Sequence, residues 1–517
     1  MTRSLLSTIC LLWVMLGAPA MAPAASARDC IALKAVNLDD EGLLPPAPRR
    51  RLFAPFLGEC IEPALLQRLL EAVATAYLQR GFVTTRPYIQ PQDVADGRLR
   101  ISVLIGRVEA VVDAETGRSD RRLRNAFAGQ EGRILNLRRL ETALEWINRP
   151  PSVDARFELR PGSEPGGTRV VVHAAEGRPW RLTLGGTAWL NGASRRVLTA
   201  EAAWDNPLDL NDILKLNLNT SRVRRQLQGG RAGGLEYSLP LGGLLASLSL
   251  SRSSYRQRLP SAGSALRATG RTDQIELKLA RVLSRAQRHK LDLNLALRHQ
   301  RIRNRIAGVS LDVSSYRASQ VRLGLTGLRL WPWGNLTADY GFTRGTPWFG
   351  ARSDGDPLSS PGLRHMFRRH ELELELQARP RPGLELASLL HVQYAPDPLY
   401  DNDRLAVGSD ATVRGYLDRN LLGDKAWYLR NDLRLSRRVD TPAGPLQLTF
   451  GPGLDYGRVQ CQATNRESCG VVAGLSLNAS AAFRGGRLAL NWSRPLRRLP
   501  DGTRPDDVVR LDLTWTF

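Results

Sequence analysis

Few residues in the sequence are spaced so that they could form a catalytic or metal site. Asp410 and Asp424 lie in one polar segment and could serve as an acid/base pair, but we interpret them as part of a solvated loop. There is no Walker-type phosphate loop, no H-E-x-x-H motif and no G-x-S-x-G motif. The six histidines lack the spacing of metal ligands. We therefore expect no enzymatic activity, no cofactor and no metal.

The five cysteines are better placed for covalent chemistry. Cys10 falls in an N-terminal segment that we expect to be removed, which leaves Cys30, Cys60, Cys461 and Cys469. No C-x-x-C pair is present, and an exported chain favours disulfides over zinc. The sequence therefore predicts two disulfides, Cys30–Cys60 and Cys461–Cys469.

The N-terminus is typical of a secretory signal peptide. Arg3 supplies a positive charge, and residues 5–16 form an apolar run of about 12 residues, too short to span a bilayer. Ala25, Ser26 and Ala27 form a small-residue cleavage pattern. We predict that residues 1–27 are a signal peptide and that the mature chain is exported.

The formal net charge is +23, and only five of the 73 basic residues are lysine. Such a charge could indicate nucleic-acid binding, but the arginines are spread along the whole chain and an exported protein seldom meets nucleic acid. Arginines that line a channel, or that lie at the level of lipopolysaccharide, fit the charge equally well. Compositional bias of the genome could account for part of it.

The first part of the mature chain mixes helix and strand patterns in two similar units, residues 29–106 and 107–177. In the first unit Pro63 begins a helix of apolar residues at helical spacing, Gly81 ends it, and strands follow at 82–89 and 99–103. In the second, a helix from Leu137 stops before Pro150, and strands follow at 155–159 and 169–173. The repeated order predicts two small α+β domains, each with an exposed sheet edge.

From residue 178 onward apolar and polar residues alternate, most clearly at 214–219 and 371–376. Period two predicts strands with one apolar and one polar face. The strands run about 10 residues and number about 16, and short turns alternate with long polar loops. A soluble β-sandwich also alternates, but these features favour a transmembrane antiparallel β-barrel over residues 178–517. The final strand ends on Phe517, which resembles a signal for outer-membrane insertion.

Several motifs in this order resemble one protein family. Residues 81–99 contain G-F-V-T-T-R, Q-P-Q-D and D-G-R-L, and residues 136–162 contain N-L-R, N-R-P and L-R-P-G. Both are similar to the polypeptide-transport-associated (POTRA) domains of two-partner secretion transporters of the haemolysin and adhesin secretion family. The strongest match is 408–433, which contains V-R-G-Y, G-D and Y-L-R-N. The resemblance covers essentially the whole mature chain.

The resemblance implies roles for two short motifs. The loop-anchor motif, at the tip of a loop folded into the barrel lumen, consists of Val413, Arg414, Gly415 and Tyr416. The partner motif on a barrel strand consists of Leu454, Asp455 and Gly457. Arg414 and Asp455 are expected to pair through two parallel hydrogen bonds. Gly453 departs from the family, which usually has an aromatic residue there, and so puts packing around the loop tip in doubt.

The resemblance also implies the function of an outer-membrane pore with its N-terminal domains in the periplasm. The pore would recognise a large exoprotein, of haemolysin or adhesin type with an N-terminal secretion domain, and translocate it without nucleotide hydrolysis. Outer-membrane lipid and periplasmic chaperones are further candidate partners. Many relatives carry a plug helix before the first domain, and we expect none here.

Two alternatives remain open within outer-membrane proteins. An assembly factor that inserts other barrels usually carries more periplasmic domains and lacks the block matched at 81–93. A passive solute porin would not need two periplasmic domains. A neighbouring gene for a large repetitive exoprotein would favour the transporter.

Overall fold

The computed structural model describes residues 30–190, 195–223, 228–261, 264–417, 419–462 and 468–517. The predicted signal peptide lies outside these residues. The chain divides into two compact units, one ending at Gly106 and the other beginning at Arg107.

The first unit is a three-stranded sheet with two helices. Its elements are β1 (Ala35–Asp39), α1 (Pro46–Phe53), α2 (Pro63–Gln79), β2 (Arg86–Tyr88) and β3 (Arg98–Leu104), with a 3₁₀ turn at Ala54–Phe56 after α1. The sheet order is β1-β3-β2, with β1 parallel and β2 antiparallel to β3. The predicted helix and second strand are confirmed, whereas β1 and α1 had no counterpart in the prediction.

Helix α2 buries one apolar stripe against the sheet. Leu65, Leu69, Val73 and Tyr77 are each at most 2% exposed and pack with residues of β3 in one core. The predicted strand at 82–89 was too long, because residues 82–85 form a turn after α2 and only Arg86–Tyr88 is a strand. Gly81 has φ +90°, and the amide of Phe82 donates to the carbonyl of Tyr77 in a helix-ending turn.

The second unit begins with a domain of the same design. Its elements are β4 (Arg107–Asp113), α3 (Arg121–Ala126), α4 (Leu137–Ile147), β5 (Val153–Pro161) and β6 (Gly167–Glu176). The sheet order is β4-β6-β5, again with one parallel and one antiparallel pairing. The two sheets therefore repeat one topology, as the sequence predicted. Among the described residues no helix is both long and apolar enough to cross a membrane.

Sixteen long strands of the described chain close an antiparallel barrel, which confirms the predicted fold class. The short strand β14 pairs only with β13, and β19 and β20 pair with each other inside a loop. Short 3₁₀ turns lie at Asp312–Ser314, Trp348–Gly350 and Asp401–Asp403. The strands are β7 (Trp180–Trp189), β8 (Arg195–Asp205), β9 (Ile213–Val223), β10 (Gln228–Leu241), β11 (Leu244–Ser261), β12 (Ser264–Ala286), β13 (His289–Ile306), β14 (Val309–Ser310), β15 (Arg317–Trp331), β16 (Gly334–Thr346), β17 (Arg368–Arg381), β18 (Leu384–Tyr394), β19 (Leu405–Val407), β20 (Leu421–Gly423), β21 (Lys425–Thr441), β22 (Gly444–Val459), β23 (Gly470–Phe483), β24 (Gly486–Pro495) and β25 (Val508–Thr516).

The alternation in each strand separates an outer apolar face from an inner polar one. On β21 and β22, for example, Leu433, Leu435 and Leu454 are exposed on the outside, while Asp432 and Asp455 are shielded on the inside. Strands β11 to β13 reach 18, 23 and 18 residues, well beyond the expected length. Their extra residues are largely polar and extend the hairpins past the apolar belt.

The second domain is joined to the short turns at one end of the barrel. Arg149 donates from Nη2 to the carbonyls of Asn211 (2.9 Å) and Ser238 (2.8 Å). The side chain of Asn125 donates to the carbonyls of Leu210 and Pro240 at 2.7 and 2.8 Å. These contacts satisfy carbonyl groups in the β8–β9 turn and near the end of β10, so the domain and this end of the barrel form one hydrogen-bonded unit.

Glu145 adds an ionic contact to the same junction. Its carboxylate accepts from Lys290 Nζ at 2.8 Å and from Arg285 Nη1, both beside the β12–β13 turn. Burial disfavours the charged carboxylate, but the hydrogen bonds from Lys290 and Arg285 outweigh it and lower the pKa of Glu145. The glutamate is therefore charged at neutral pH and holds α4 on the barrel.

Candidate functional site

The segment between β18 and β21 forms a long loop that folds into the barrel. Within it β19 and β20 make a short antiparallel ladder from Leu405–Gly423 to Val407–Leu421. Asp424, only 1% exposed, closes the base of this loop by accepting from the amide of Leu399 (3.1 Å) and from Arg404 Nε (3.0 Å). Our interpretation of Asp424 as a solvated residue was wrong, because its carboxylate is buried and accepts hydrogen bonds from these donors.

The tip of the loop, residues 408–417, packs against the inner barrel wall. Val413 and Tyr416 are fully buried in an apolar cluster with Val459 and Val472 of the wall. The hydroxyl of Tyr416 accepts from the amides of Ala473 and Arg497 at 3.2 Å and lies 2.9 Å from both of their carbonyl oxygens, to one of which it donates its proton. One side chain thus satisfies backbone groups of β23 and of the segment after β24.

Arg414 is the ionic centre of the tip. Its Nε and Nη2 donate to the two carboxylate oxygens of Asp455, each at 2.6 Å, and its backbone amide donates to the same carboxylate at 3.0 Å. Its Nη1 donates to Asp432 Oδ1 at 2.6 Å. The side chain of Asp455 is fully buried and that of Arg414 is 4% exposed. Two carboxylates on adjacent strands, β21 and β22, therefore hold one guanidinium group.

Glycines in the wall make room for the tip. A Cβ at Gly457 would lie 2.5 Å from Val407 Cγ1, and one at Gly474 would lie 2.0 Å from the carbonyl oxygen of Arg414. Gly415 has φ +97°, and a Cβ there would meet the backbone nitrogen of Pro495 at 2.7 Å. Any larger residue at these positions would push the tip away from the wall.

Asp410 connects the tip to the first and last barrel strands. Its Oδ2 accepts from the indole Nε1 of Trp189 on β7 at 2.7 Å and lies 3.5 Å from Arg510 Nη1 on β25. These strands meet where the barrel closes, with Arg510 opposite Trp189. Asp410 and Asp424 bind different partners. They therefore do not form an acid/base pair, and they are not part of a solvated loop.

Most residues named from the sequence come together at the tip, with one exception. Val413, Arg414, Gly415 and Tyr416 lie at the tip, and Asp455 and Gly457 lie beneath it. The side chain of Leu454 lies on the outer face and the residue is 54% exposed, so it is not part of the inward-facing site. Disulfides join Cys30 to Cys60 and Cys461 to Cys469. The second of these lies beside the loop, since Cys469 belongs to the same buried cluster as Val413.

Two contributors to the site were missed from the sequence. Asp432 provides the second carboxylate for Arg414, and Arg430 Nη1 donates to the carbonyls of Asp410 and Ala411 at 2.9 and 2.8 Å. Period two along β21 places both on the inner face with Tyr428, and this signal could have identified them.

The arrangement holds a loop in place through buried ionic and backbone contacts. Within the described ranges, no group of three or more His, Cys, Asp or Glu side chains is placed to hold a metal ion. A polar cavity of ≈620 Å³ beside the guanidinium is lined by residues that include Arg414, Asp432, Asn491 and Asp512. The site is therefore an ionic anchor at the edge of a polar lumen.

Comparison with protein families identifies three matching regions. The profile of the haemolysin secretion/activation proteins ShlB/FhaC/HecB matches residues 166–481. The ShlB-type POTRA domain matches residues 31–106, and a further POTRA domain matches 107–161.

Individual proteins show the same similarity. Hemolysin transporter protein ShlB of Serratia marcescens is 29% identical over 510 residues, covering 97% of this chain and 88% of the relative. Outer membrane transporter CdiB of Escherichia coli is 27% identical over 490 residues, covering 93% and 81%. Among solved structures, CdiB from Escherichia coli superposes with a TM-score of 0.85 at 26% identity, covering 96% of this chain and 92% of that one.

Proposed function

Because the chain belongs to the family of haemolysin secretion/activation proteins ShlB/FhaC/HecB, we propose that it recognises one large exoprotein and passes it through the barrel to the cell surface. The chain is an outer-membrane transporter of two-partner secretion, with its POTRA domains in the periplasm. The proposed client is a haemolysin or adhesin with an N-terminal secretion domain. The sites of recognition and passage are part of the proposal.

The observation that carries the proposal is the anchored loop. A tip held by two carboxylates, at the edge of a polar lumen, is suited to a channel whose obstruction must be fixed at rest and displaced in use. A passive porin does not need a buried ion pair of this kind. Burial of an ion pair costs desolvation free energy, and this cost is offset when both partners are hydrogen-bonded, as Arg414 and Asp455 are here.

We assign a separate role to each of the three regions, residues 29–106, 107–177 and 178–517. The two small domains bind the client, because each has sheet edges at which an extended segment can add as a strand. The barrel conducts the chain, and folding of the client outside the cell prevents its return. No nucleotide is consumed.

Reconstitution of the full chain in proteoliposomes tests the proposal. The probe is the unfolded N-terminal secretion domain of a candidate haemolysin or adhesin exoprotein. We expect it to reach the side of the bilayer opposite the POTRA domains without added nucleotide. A strict requirement for ATP, or equal passage of an unrelated unfolded protein of the same size, would contradict the proposal.

A further inference from the structure

The outer face of the barrel changes from apolar to basic on β11, β12, β13 and β15. On β11 the outward residues Leu248 and Leu250 are 36% and 42% exposed, and the next residue on that face is Arg252. On β12 the face that carries Ile275 continues, away from the β12–β13 turn, with Asp273 and then Arg271. Strand period places these side chains on the outside together.

Cross-strand register aligns the charged residues in rows. Arg252 lies opposite Asp273, Asp273 opposite Arg301, and Arg301 opposite Arg317. One row further from the apolar belt, Arg271 lies opposite Arg303. We call these five arginines, Arg252, Arg271, Arg301, Arg303 and Arg317, the arginine rim. With Asp273 as its one acidic member, the rim carries a formal charge of +4.

Asp273 orders the rim without neutralising it. Its carboxylate accepts from Arg252 Nε at 2.5 Å, from Arg271 Nε at 3.2 Å and from Arg303 Nη2. Each guanidinium carries five N–H donors, so most remain free for an anion. Arg252 is 65% exposed, which leaves these donors directed outward.

An apolar groove adjoins the rim. It is shallow and open to the outside, has a volume of ≈1320 Å³ and is lined by apolar side chains that include Leu218, Leu235, Leu250 and Ile275. Its lining extends to Arg252, Arg301 and Arg317. A surface of this kind matches a molecule with acyl chains and an anionic headgroup. A ligand with only acyl chains, or with only an anionic group, would not need the groove and the rim side by side.

The rim lies on the extracellular side of the outer membrane. The opposite end of the same strands, at the β12–β13 turn, carries Arg285 and Lys290 in contact with the second POTRA domain, which is periplasmic. The rim therefore faces the outer leaflet, at the height where lipid headgroups meet water.

We propose that the arginine rim and its groove bind one phosphorylated lipid of the outer leaflet. Phosphate oxygens accept hydrogen bonds from Arg252, Arg301 and Arg317, because planar guanidinium groups match phosphate in a bidentate geometry. The acyl chains lie along Leu235, Leu250 and Ile275. A lipid held in this way steadies the long hairpins of β11 to β13, which extend beyond the apolar belt.

The test uses the purified full chain in detergent and counts bound lipid by native mass spectrometry, with hexa-acylated lipid A as the probe. The triple variant Arg252→Gln, Arg301→Gln, Arg317→Gln should bind lipid A about ten-fold or more weakly, because one hydrogen bond to a charged group ordinarily contributes such a factor. A matched control neutralises three exposed arginines near the periplasmic turns, Arg281, Arg329 and Arg437, and should bind normally.

Further variants and ligands distinguish binding of the whole lipid from binding of phosphate or acyl chains alone. Replacement of the three rim arginines by lysine should retain part of the affinity, and Arg301→Gln alone should weaken it if the triple variant does not fold. Inorganic phosphate and phosphatidylcholine should each bind far more weakly than lipid A. Equal loss in the rim and control variants, no loss in either, or equal binding of inorganic phosphate would overturn the proposal.

Discussion

Gly453 lies directly beneath the guanidinium group of Arg414. A Cβ at position 453 would stand 2.4 Å from Arg414 Nη2 and 2.7 Å from Asp432 Oδ1. The space beside Gly453 is occupied by the guanidinium and its second carboxylate, so a side chain at position 453 would meet both groups.

Substitution of Gly453 should displace Arg414. We expect Gly453→Ala to destabilise the folded barrel by about 1–3 kcal/mol, the usual range for overpacking, and Gly453→Phe to have a larger effect. The temperature at which the barrel shifts on a heat-modifiability gel measures this. Gly327→Ala is the control, since its Cβ would lie 4.0 Å from the Ala338 carbonyl oxygen and so meet no close neighbour. Equal changes of the transition temperature in Gly453→Ala and Gly327→Ala would show that Gly453 does not support the contacts of Arg414.

Removal of the Tyr416 hydroxyl should loosen the tip. Tyr416→Phe leaves buried backbone groups of Ala473 and Arg497 without their partner, at about 1–3 kcal/mol. Thermal unfolding followed by circular dichroism measures the loss. Tyr428→Phe removes the same atom from a ring that stacks on His391 and should cost less. A smaller loss in Tyr416→Phe than in Tyr428→Phe would be inconsistent with the described contacts.

The junction between the second POTRA domain and the barrel should weaken in acid. The pKa of Glu145 is lowered, so its contribution is complete above the unfolded value of about 4.3 and is lost as the pH falls through the lower folded pKa. Because the Glu145 side chain is 40% exposed, we expect about 1 kcal/mol or less.

Spin labels on introduced cysteines in α4 and in the β10–β11 turn can follow this junction. The distance distribution should stay narrow at pH 5 and broaden only at a lower pH. Glu145→Gln should broaden it slightly at neutral pH, whereas Glu158→Gln, whose partners Arg160 and His173 lie in the same domain, should not. Broadening already between pH 7 and 5 would exclude Glu145 as the cause.

Both disulfides should be present in the native protein. On the loop-closure model, Cys30–Cys60 contributes about 3–4 kcal/mol and Cys461–Cys469 about 2–3 kcal/mol, because the first closes a longer loop. Non-reducing digestion followed by mass spectrometry should recover both linked peptide pairs. Four thiols that can be alkylated in the native protein would contradict this prediction.

The alternation of residues made the barrel predictable, because lipid on one side and water on the other require period two in every strand. Helix α4 was predictable for the same kind of reason, since its apolar residues repeat at helical spacing. Helix α1 was not, because Pro46, Pro48 and three successive arginines from Arg49 give no apolar period. Strand β1 is short and lies between turns, so its five residues carry little pattern.

The candidate site was only partly predictable. The pairing of Arg414 with Asp455 followed from family resemblance. Period two along β21 predicts only that Asp432 faces inward, and its contact with Arg414 also depends on the space above Gly453, which no local pattern reveals. The docking of Arg149 and Asn125 on backbone carbonyl groups of the barrel was not predictable, because any sequence supplies such acceptors. A side chain that binds a backbone carbonyl group places no requirement on the residue type of its partner, so the sequence does not reveal such contacts.

The proposed function depends most on the loop anchor. Asp455 is fully buried, so removal of the Arg414 guanidinium leaves an uncompensated charge at about 3–5 kcal/mol if burial is complete. Water in the adjoining cavity reduces this cost, and the loss should appear in the position of the loop more than in barrel stability. Arg414→Lys should restore function only in part, because an ammonium group lacks the planar fork.

The most direct test is the fraction of exoprotein exported by cells that carry Arg414→Ala at wild-type barrel abundance. Arg419→Ala is the matched control, since Arg419 lies in the same loop but is 55% exposed and pairs with Asp501 on the surface. We predict that Arg414→Ala exports far less exoprotein than wild type while its barrel remains heat-modifiable, and that Arg419→Ala exports normally. Normal export by Arg414→Ala would contradict the role of the anchored loop in secretion.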